Sequence, residues 1–284
     1  MANNSACLFG KRENNSRRVF IEITDLCNMY CKHCMNNSGK NTWPGLPKEK
    51  MKNLFTEISE QNVVYLYISG GEPLLYDGID EVLEHAYNLG MKVTLATNGM
   101  GIKEHLSAIE KYIDVISISL DGIGNIHDEF RGVEGAFIQL QESLQILQEK
   151  KINVKISSII WKKNMEQLED MVLFAKKYGV RKVNFNILVP VGRAKNNVDI
   201  IIHQKKYQEL YQKIDYLRKK YTTDCFEVQI KRNEKLKEES EQCPGGTTIY
   251  HINSHGKVSP CSWISKIDDT EYSLYWESGN LKQW

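Results

Sequence analysis

Between residues 17 and 189 strand-like and helix-like runs alternate, and this alternation constrains the fold more than any other feature. Arg17–Thr24, Val63–Ile68, Lys92–Ala96, Asp114–Leu120, Asn153–Ile160 and Lys182–Val189 are rich in β-branched and aromatic residues and read as strands. Lys48–Glu60, Ile79–Leu89, Lys103–Tyr112, Phe137–Lys150 and Met165–Tyr178 carry helical spacing, and Gly90 and Gly179 stand where C-terminal caps want positive φ. Strands alternating with helices in this way imply an α/β fold with a parallel sheet and right-handed crossovers. Six such units fall short of the eight that close a TIM barrel, so a partial (βα)6 barrel is expected. In such sheets chemistry collects at the C-terminal ends of the strands.

Four regions follow from the pattern: an N-terminal extension (1–17), the partial barrel (18–198), a connecting segment (199–242) and a small C-terminal unit (243–284). The connecting segment carries an amphipathic helix, His203–Tyr221, a strand, Phe226–Ile230, and the run Lys231–Glu241 with eight charges in eleven residues. That run reads as a solvated linker, with a partner contact as the alternative. The C-terminal unit carries two short strands, Thr247–Ile252 and Lys257–Ser259.

With 37 Lys+Arg against 36 Asp+Glu the formal charge is +1, which gives no bulk field to draw nucleic acid or an acidic membrane. No apolar run reaches the roughly 18 residues of a spanning helix. The start of the chain lacks the apolar stretch of a secretory signal, so the cytoplasm is the expected compartment. Thiols stay reduced there, and the seven cysteines (7, 27, 31, 34, 225, 243 and 261) read as ligands or nucleophiles before disulfide partners.

Cys27, Cys31 and Cys34 form Cys-x3-Cys-x2-Cys directly after the first strand. A loop lets the three thiols converge, whereas a strand would point them alternately to opposite faces. Crowded thiolates repel, and a soft metal centre removes that penalty. Zinc would want a fourth ligand, and His33 is poorly placed to provide it. A four-iron cluster held by three cysteines leaves one iron open.

This run, at the end of the first strand of a partial barrel, resembles the radical S-adenosylmethionine (SAM) enzymes over roughly residues 18–190. The resemblance implies that Cys27, Cys31 and Cys34 hold a [4Fe-4S] cluster whose open iron binds SAM. An electron from the cluster would split SAM into methionine and a 5'-deoxyadenosyl radical that abstracts hydrogen from the substrate. His33 takes a position the family usually gives to an aromatic residue.

Ser69-Gly70-Gly71-Glu72-Pro73 follows the second strand. Its glycines let backbone approach a ligand closely, with carbonyls free to accept from an ammonium group and Glu72 as a nearby anion. The resemblance implies that Gly70, Gly71, Glu72 and Pro73 serve the SAM amino group. Further cofactor contacts are expected at strand ends and on strands: Asn98, Ser119, Asp121, Ser157, Asn186, and Arg193 as a carboxylate or phosphate clamp. The segments His127–Gly132 and Val189–Ala194 resemble stretches of peptide-modifying members.

Cys243 and Cys261 stand in a Cys-x12-Gly-x4-Cys pattern that resembles the opening of the auxiliary-cluster domain called SPASM, or its shorter twitch form. That domain carries one or two extra iron–sulfur clusters and continues with further cysteines, and this chain shows none after Cys261. A cubane takes three or four thiolates. Cys225, His251 and His255 are candidates for the missing ligands, with Cys7 more distant; a truncated chain or a hairpin without a cluster are the alternatives. Ser278–Leu281 resembles the segment that follows the second cysteine of that domain.

The reading is an oxidoreductase of radical SAM type that matures a peptide by crosslinking, epimerisation or oxidation. The alternatives are a radical SAM dehydrogenase or related enzyme on a small metabolite, a degenerate iron–sulfur partner protein, and a zinc-binding structural protein. A base or hydrogen donor is not identified beyond Cys225 and Asp121 as candidates. Expected partners are the substrate and an electron donor such as flavodoxin or ferredoxin. Only Met1–Ser16 precedes the first strand, so peptide recognition would rest on a separate protein or on direct contact.

Overall fold

The computed structural model describes residues 16–231, 243–266, 273–277 and 281. Its spine is one mostly parallel sheet. The six expected strands are all present: β1 (Arg17–Glu22), β2 (Val63–Ser69), β3 (Lys92–Thr97), β4 (Val115–Ser119), β5 (Val154–Ile160) and β6 (Lys182–Ile187). They lie side by side in chain order, each parallel to the next.

Two further strands extend this set at opposite edges. β7 (Glu227–Lys231), from the connecting segment, pairs parallel with β6. β8 (Ile249–Ile252), from the C-terminal unit, pairs parallel with β1, Phe20 facing His251 in register. β9 (Lys257–Ser259) and β10 (Leu274–Tyr275) continue antiparallel beyond β8. Both outer units are thus part of the sheet itself.

Side-chain alternation separates the two faces. In β5, Val154, Ile156, Ser158 and Ile160 are buried while the residues between them are half-buried. The outward row, with Ile21, Leu66, Leu95, Ile118 and Phe185, packs under the helices. α1 (Lys48–Glu60) contributes Leu54 and Phe55, α2 (Ile79–Asn88) Val82 and Leu83. α3 (Leu106–Tyr112) adds Ile109, α5 (Ala136–Glu149) Leu144 and Leu147, and α6 (Leu168–Lys177) Met171 and Val172. Each such Leu or Phe contributes about 1.5–3 kcal/mol by leaving water. The inner face is different in kind: Tyr67, Ser117, Ser119, Lys155, Ser157, Asn184 and Asn186 make it polar.

Several helical assignments differ from the sequence expectation. α3 starts at Leu106 because residues 100–105 form turns. α7 (Tyr207–Tyr221) starts after a 3-10 turn at Gln204–Lys206. α4 (Asn125–Arg131) is a helix that no periodicity announces; seven residues are too few for a pattern, and Gly124 and Gly132, both at positive φ, bound it. The charged run after Lys231 lies outside the described residues, as do Cys7 and Ser278–Asn280.

Candidate active site

The chain leaves β1 into a closed loop whose two limbs are tied together. Asp25 N donates to Trp43 O at 2.9 Å, Cys27 N to Gly39 O at 3.0 Å, and Thr42 Oγ1 to Asp25 O at 2.6 Å. Inside it, Cys27 and Cys31 are buried and Cys34 is half-buried, all three as free thiols. They share one apolar nest with Met29, Ala136, Met100 and Val133. Beside the loop lies an open cleft of about 570 Å3 whose lining includes Asn28, Tyr30, Lys40 and Gly132.

Three other strand ends press on this loop. From the end of β2, Gly71 N and Glu72 N donate to Thr24 O and Leu26 O, both at 2.7 Å. A side chain at Gly71 would collide with the Leu26 carbonyl oxygen, so only glycine allows this approach. From beyond β6, Arg193 N donates to Cys34 O at 2.9 Å, and Gly192, at φ +54°, leaves no room for a Cβ against Cys34 O. From α4, Phe130 O accepts from Lys32 N at 2.9 Å. His33 stacks on Phe130 (4.4 Å between centroids), which stacks on Trp161 (4.6 Å), so the histidine fills an aromatic slot. Burial first, then nearby cations, holds its imidazole well below the usual histidine range.

Burial keeps the Cys27 and Cys31 thiols protonated in the metal-free chain. Burial pushes the Cys27 thiol up to about 12, with Cys31, Glu72 and Cys34 adding to the rise. Burial also raises Cys31, and Arg131 works against it. Arg131 Nη1 donates to Cys31 Sγ at 3.7 Å, while its Nη2 forms an ion pair with buried Asp121. Three thiolates here require a positive centre to replace the water they lose. Among the described residues no set of three His, Cys, Asp or Glu side chains is already closed into metal-ligand geometry. The donor set nevertheless fits an iron–sulfur cluster: three free, electrostatically coupled thiols on one loop, an adjacent guanidinium, and an apolar surround.

Several expected cofactor residues are occupied by the scaffold. Glu72 is 1% exposed and accepts from Thr97 Oγ1 and Asn98 N, both at 2.7 Å, and from Leu74 N at 3.2 Å. It therefore ties the β2 and β3 ends together. Pro73 is buried and opens the following 3-10 turn. Asn98 accepts from Met100 N at 2.9 Å and donates to Asn28 Oδ1 at 2.8 Å, which secures the residue after Cys27. Asp121 is fully buried; besides Arg131 it accepts from Ile159 N at 2.6 Å. Arg193 donates to Cys31 O and Ser38 O, both at 2.8 Å, and its guanidinium lies 3.9 Å above the Tyr30 ring. Gly70, at φ +146°, sits in the same close turn as Gly71.

Ser119, Ser157 and Asn186 do come together on the inner face. Ser119 faces Ser157 in register, and Asn186 Nδ2 donates to Ser158 O at 3.2 Å and reaches Ser157 Oγ at 3.5 Å. Cys225 is placed elsewhere: it is exposed and precedes β7, at the N-terminal end of the strands and opposite the cysteine loop. Cys225 is disulfide-bonded, so the reduced thiol expected there as a ligand or hydrogen donor is corrected.

At the C-terminal unit, Cys243 is exposed and Cys261 half-buried. A Cβ at Gly245 would sit 3.5 Å from Cys243 Sγ and 3.1 Å from Pro260 O, so both cysteines flank this turn. Neither proposed histidine ligand is idle. His251 Nε2 pairs with Glu22 Oε1 at 3.1 Å, and His255 Nε2 lies 3.5 Å from Asp25 Oδ2. Lys266 adds a contact to Glu22 Oε2 at 2.9 Å. Burial raises the Glu22 carboxyl, but His251 and Lys266 outweigh it and hold the group below its ordinary value. With two thiols and two occupied histidines, this unit does not fit a cubane among the described residues.

A parallel, barrel-like sheet with a three-thiol loop at its C-terminal end defines a radical SAM class of protein. Comparison agrees. Residues 21–175, more than half of the chain, match the Radical SAM superfamily, and the chain belongs to that family. Its members are enzymes that use a [4Fe-4S] cluster and SAM. An AdoMet-dependent heme synthase of Oleidesulfovibrio alaskensis is 26% identical over 92% of this chain and 74% of that protein. The antilisterial bacteriocin subtilosin biosynthesis protein AlbA of Bacillus subtilis is 27% identical over 89% of this chain and 56% of its own length. Among solved structures, Streptococcus suis SuiB bound to precursor peptide SuiA matches with TM-score 0.76 at 18% identity, covering 95% of this chain and 64% of SuiB. That likeness is one of fold.

Arg131, Asn28 and Asp25 escaped the sequence reading as site residues. Arg131 stands inside the segment His127–Gly132, but its approach to Cys31 spans 100 residues and leaves no local signal.

Proposed function

We propose that the chain is a radical SAM maturase that modifies a peptide by hydrogen abstraction. The observation that carries the radical step is the nest of Cys27, Cys31 and Cys34, fixed from three strand ends and backed by Arg131. When bound there, the cluster and SAM supply a one-electron cleavage that generates the hydrogen-abstracting 5'-deoxyadenosyl radical. The chain's own residues do the rest. Gly71 and Glu72 fix the first limb of the loop, Arg193 fixes the second, and Met29, Met100 and Val133 keep water from the thiols. Ser119, Ser157 and Asn186 offer polar contacts on the inner face of β4, β5 and β6.

The peptide substrate is supported by the relationship to AlbA, a bacteriocin biosynthesis protein, over 89% of this chain. A second reading, a small tetrapyrrole-like metabolite, is favoured by the heme synthase relationship over 92% of it. In the first reading a flavodoxin or ferredoxin supplies the electron in the cytoplasm, and a separate protein presents the peptide. Among the described residues no helix is long and apolar enough to cross a membrane.

The test is anaerobic incubation of the reconstituted chain with SAM, reductant and either a candidate precursor peptide or a porphyrin bearing propionates. A peptide mass change coupled to 5'-deoxyadenosine supports the first reading. A change in the porphyrin alone overturns it in favour of the second.

A further inference from the structure

The turn between β8 and β9 touches both limbs of the cysteine loop, more than 200 residues away in sequence. On the first limb, Asp25 Oδ1 accepts from Ser254 Oγ at 2.8 Å, and Asp25 Oδ2 lies 3.5 Å from His255 Nε2. On the second limb, Trp43 Nε1 donates to Ser254 O at 3.0 Å, and its ring stacks on His255 at 5.2 Å between centroids, 15° from coplanar. Asp25 and Trp43 are themselves joined by the 2.9 Å backbone bond that closes the loop. Ser254 is 1% exposed, so its hydroxyl and carbonyl are committed to these two contacts.

The turn is built to hold that position. Asn253 Oδ1 accepts from His255 N at 3.1 Å and from Lys257 N at 2.9 Å, an Asx-type turn, and Gly256 takes the left-handed conformation at φ +79°. Below it, Glu22 fastens His251 and Lys266 to β1. β1 and its extension thus present two carboxylates, Glu22 and Asp25, to the C-terminal unit.

We propose that this turn is a positioning clasp: Ser254 and His255 hold the limbs of the cysteine loop closed, so that the C-terminal unit sets where Cys27, Cys31 and Cys34 stand. Asp25 lies two residues before Cys27, and Trp43 closes the far limb, so loosening either moves the thiols. The role does not require Cys243 or Cys261 to bind anything. Its consequence for the cluster rests on the radical SAM reading; the clasp itself is tested on the metal-free chain.

The experiment is hydrogen exchange of the metal-free full chain, wild type beside Ser254→Ala, Ser254→Thr and Trp43→Leu, followed by iron release to a chelator after reconstitution. Losing one buried hydrogen bond to a carboxylate corresponds to about tenfold faster exchange across residues 25–43. Exchange in β3 to β5 stays unchanged, Ser254→Thr restores the slow rate, and iron leaves faster from Ser254→Ala. Trp43→Leu, at a more exposed position, gives the same loop-confined change should Ser254→Ala fold poorly. Unchanged exchange in 25–43 for both variants, or equal acceleration across the whole sheet, overturns the clasp. A wild type that takes up no iron sinks the radical SAM reading instead, while the exchange comparison still decides the clasp.

Discussion

Arg131 and Cys31 stand 3.7 Å apart, guanidinium nitrogen to sulfur, and Asp121 holds the same guanidinium from its other side. A cation donating to a cluster thiolate favours the reduced, more negative state. Arg131→Met is therefore expected to lower the midpoint potential of the cluster and slow SAM cleavage, with the iron content retained. A redox titration followed by electron paramagnetic resonance checks it; an unchanged potential contradicts it.

Asp121 is fully buried, and removing it strands the Arg131 charge. Asp121→Ala is expected to destabilise the metal-free chain by about 3–5 kcal/mol. The midpoint of urea unfolding reads this directly. A loss below about 1 kcal/mol would show that the pair is not the keystone of α4.

Gly192 tolerates no Cβ against the Cys34 carbonyl. Gly192→Ala is expected to leave the far-ultraviolet circular dichroism of the sheet intact while iron retention falls several-fold. Normal retention would mean that the second limb of the loop adapts.

His127 is held down to about 3, by burial first and by Arg131 second. Its pKa in the unfolded chain is the ordinary 6.5, so the unfolded state binds a proton that the folded state refuses. The resulting stability is complete above about pH 6.5 and drains as the pH falls towards 3, by up to about 1.4 kcal/mol per pH unit. Buried His33 acts with the same sign. Unfolding free energies between pH 6.5 and 5 should fall in the wild type, and less steeply in His127→Gln. Equal slopes contradict the assignment.

Much of the fold was legible because buried parallel strands leave a local trace. Val63–Ser69 is a run of β-branched and aromatic residues, and Val154–Ile160 carries β-branched residues at four of its seven positions. The Cys-x3-Cys-x2-Cys spacing and Gly70-Gly71 were equally plain, since their chemistry lies in consecutive residues. What stayed hidden depends on pairing across the chain. Nothing in Ile249–Ile252 announces that it joins β1, and nothing in Arg193 announces that its guanidinium reaches Cys31 O. Glu72 reads as a ligand because it follows two glycines; only the approach of Thr97 and Asn98 shows it to be a tie between strands.

The C-terminal thiols give a separate check. Cys243→Ala with Cys261→Ala is expected to leave the iron content of the reconstituted chain at its wild-type level of about four per chain. A drop to half of a wild-type value near eight would show that these cysteines hold a second cluster and that its other ligands lie outside the described residues.

The central claim is tested most directly by anaerobic iron and sulfide content with 5'-deoxyadenosine production, wild type beside a variant with Cys27, Cys31 and Cys34 all changed to Ala. Wild type should bind iron and sulfide in equal amounts and release 5'-deoxyadenosine from SAM under reductant, and the variant should lose both. Deoxyadenosine production that persists in the variant, or a wild type that takes up zinc and no iron, would contradict the account.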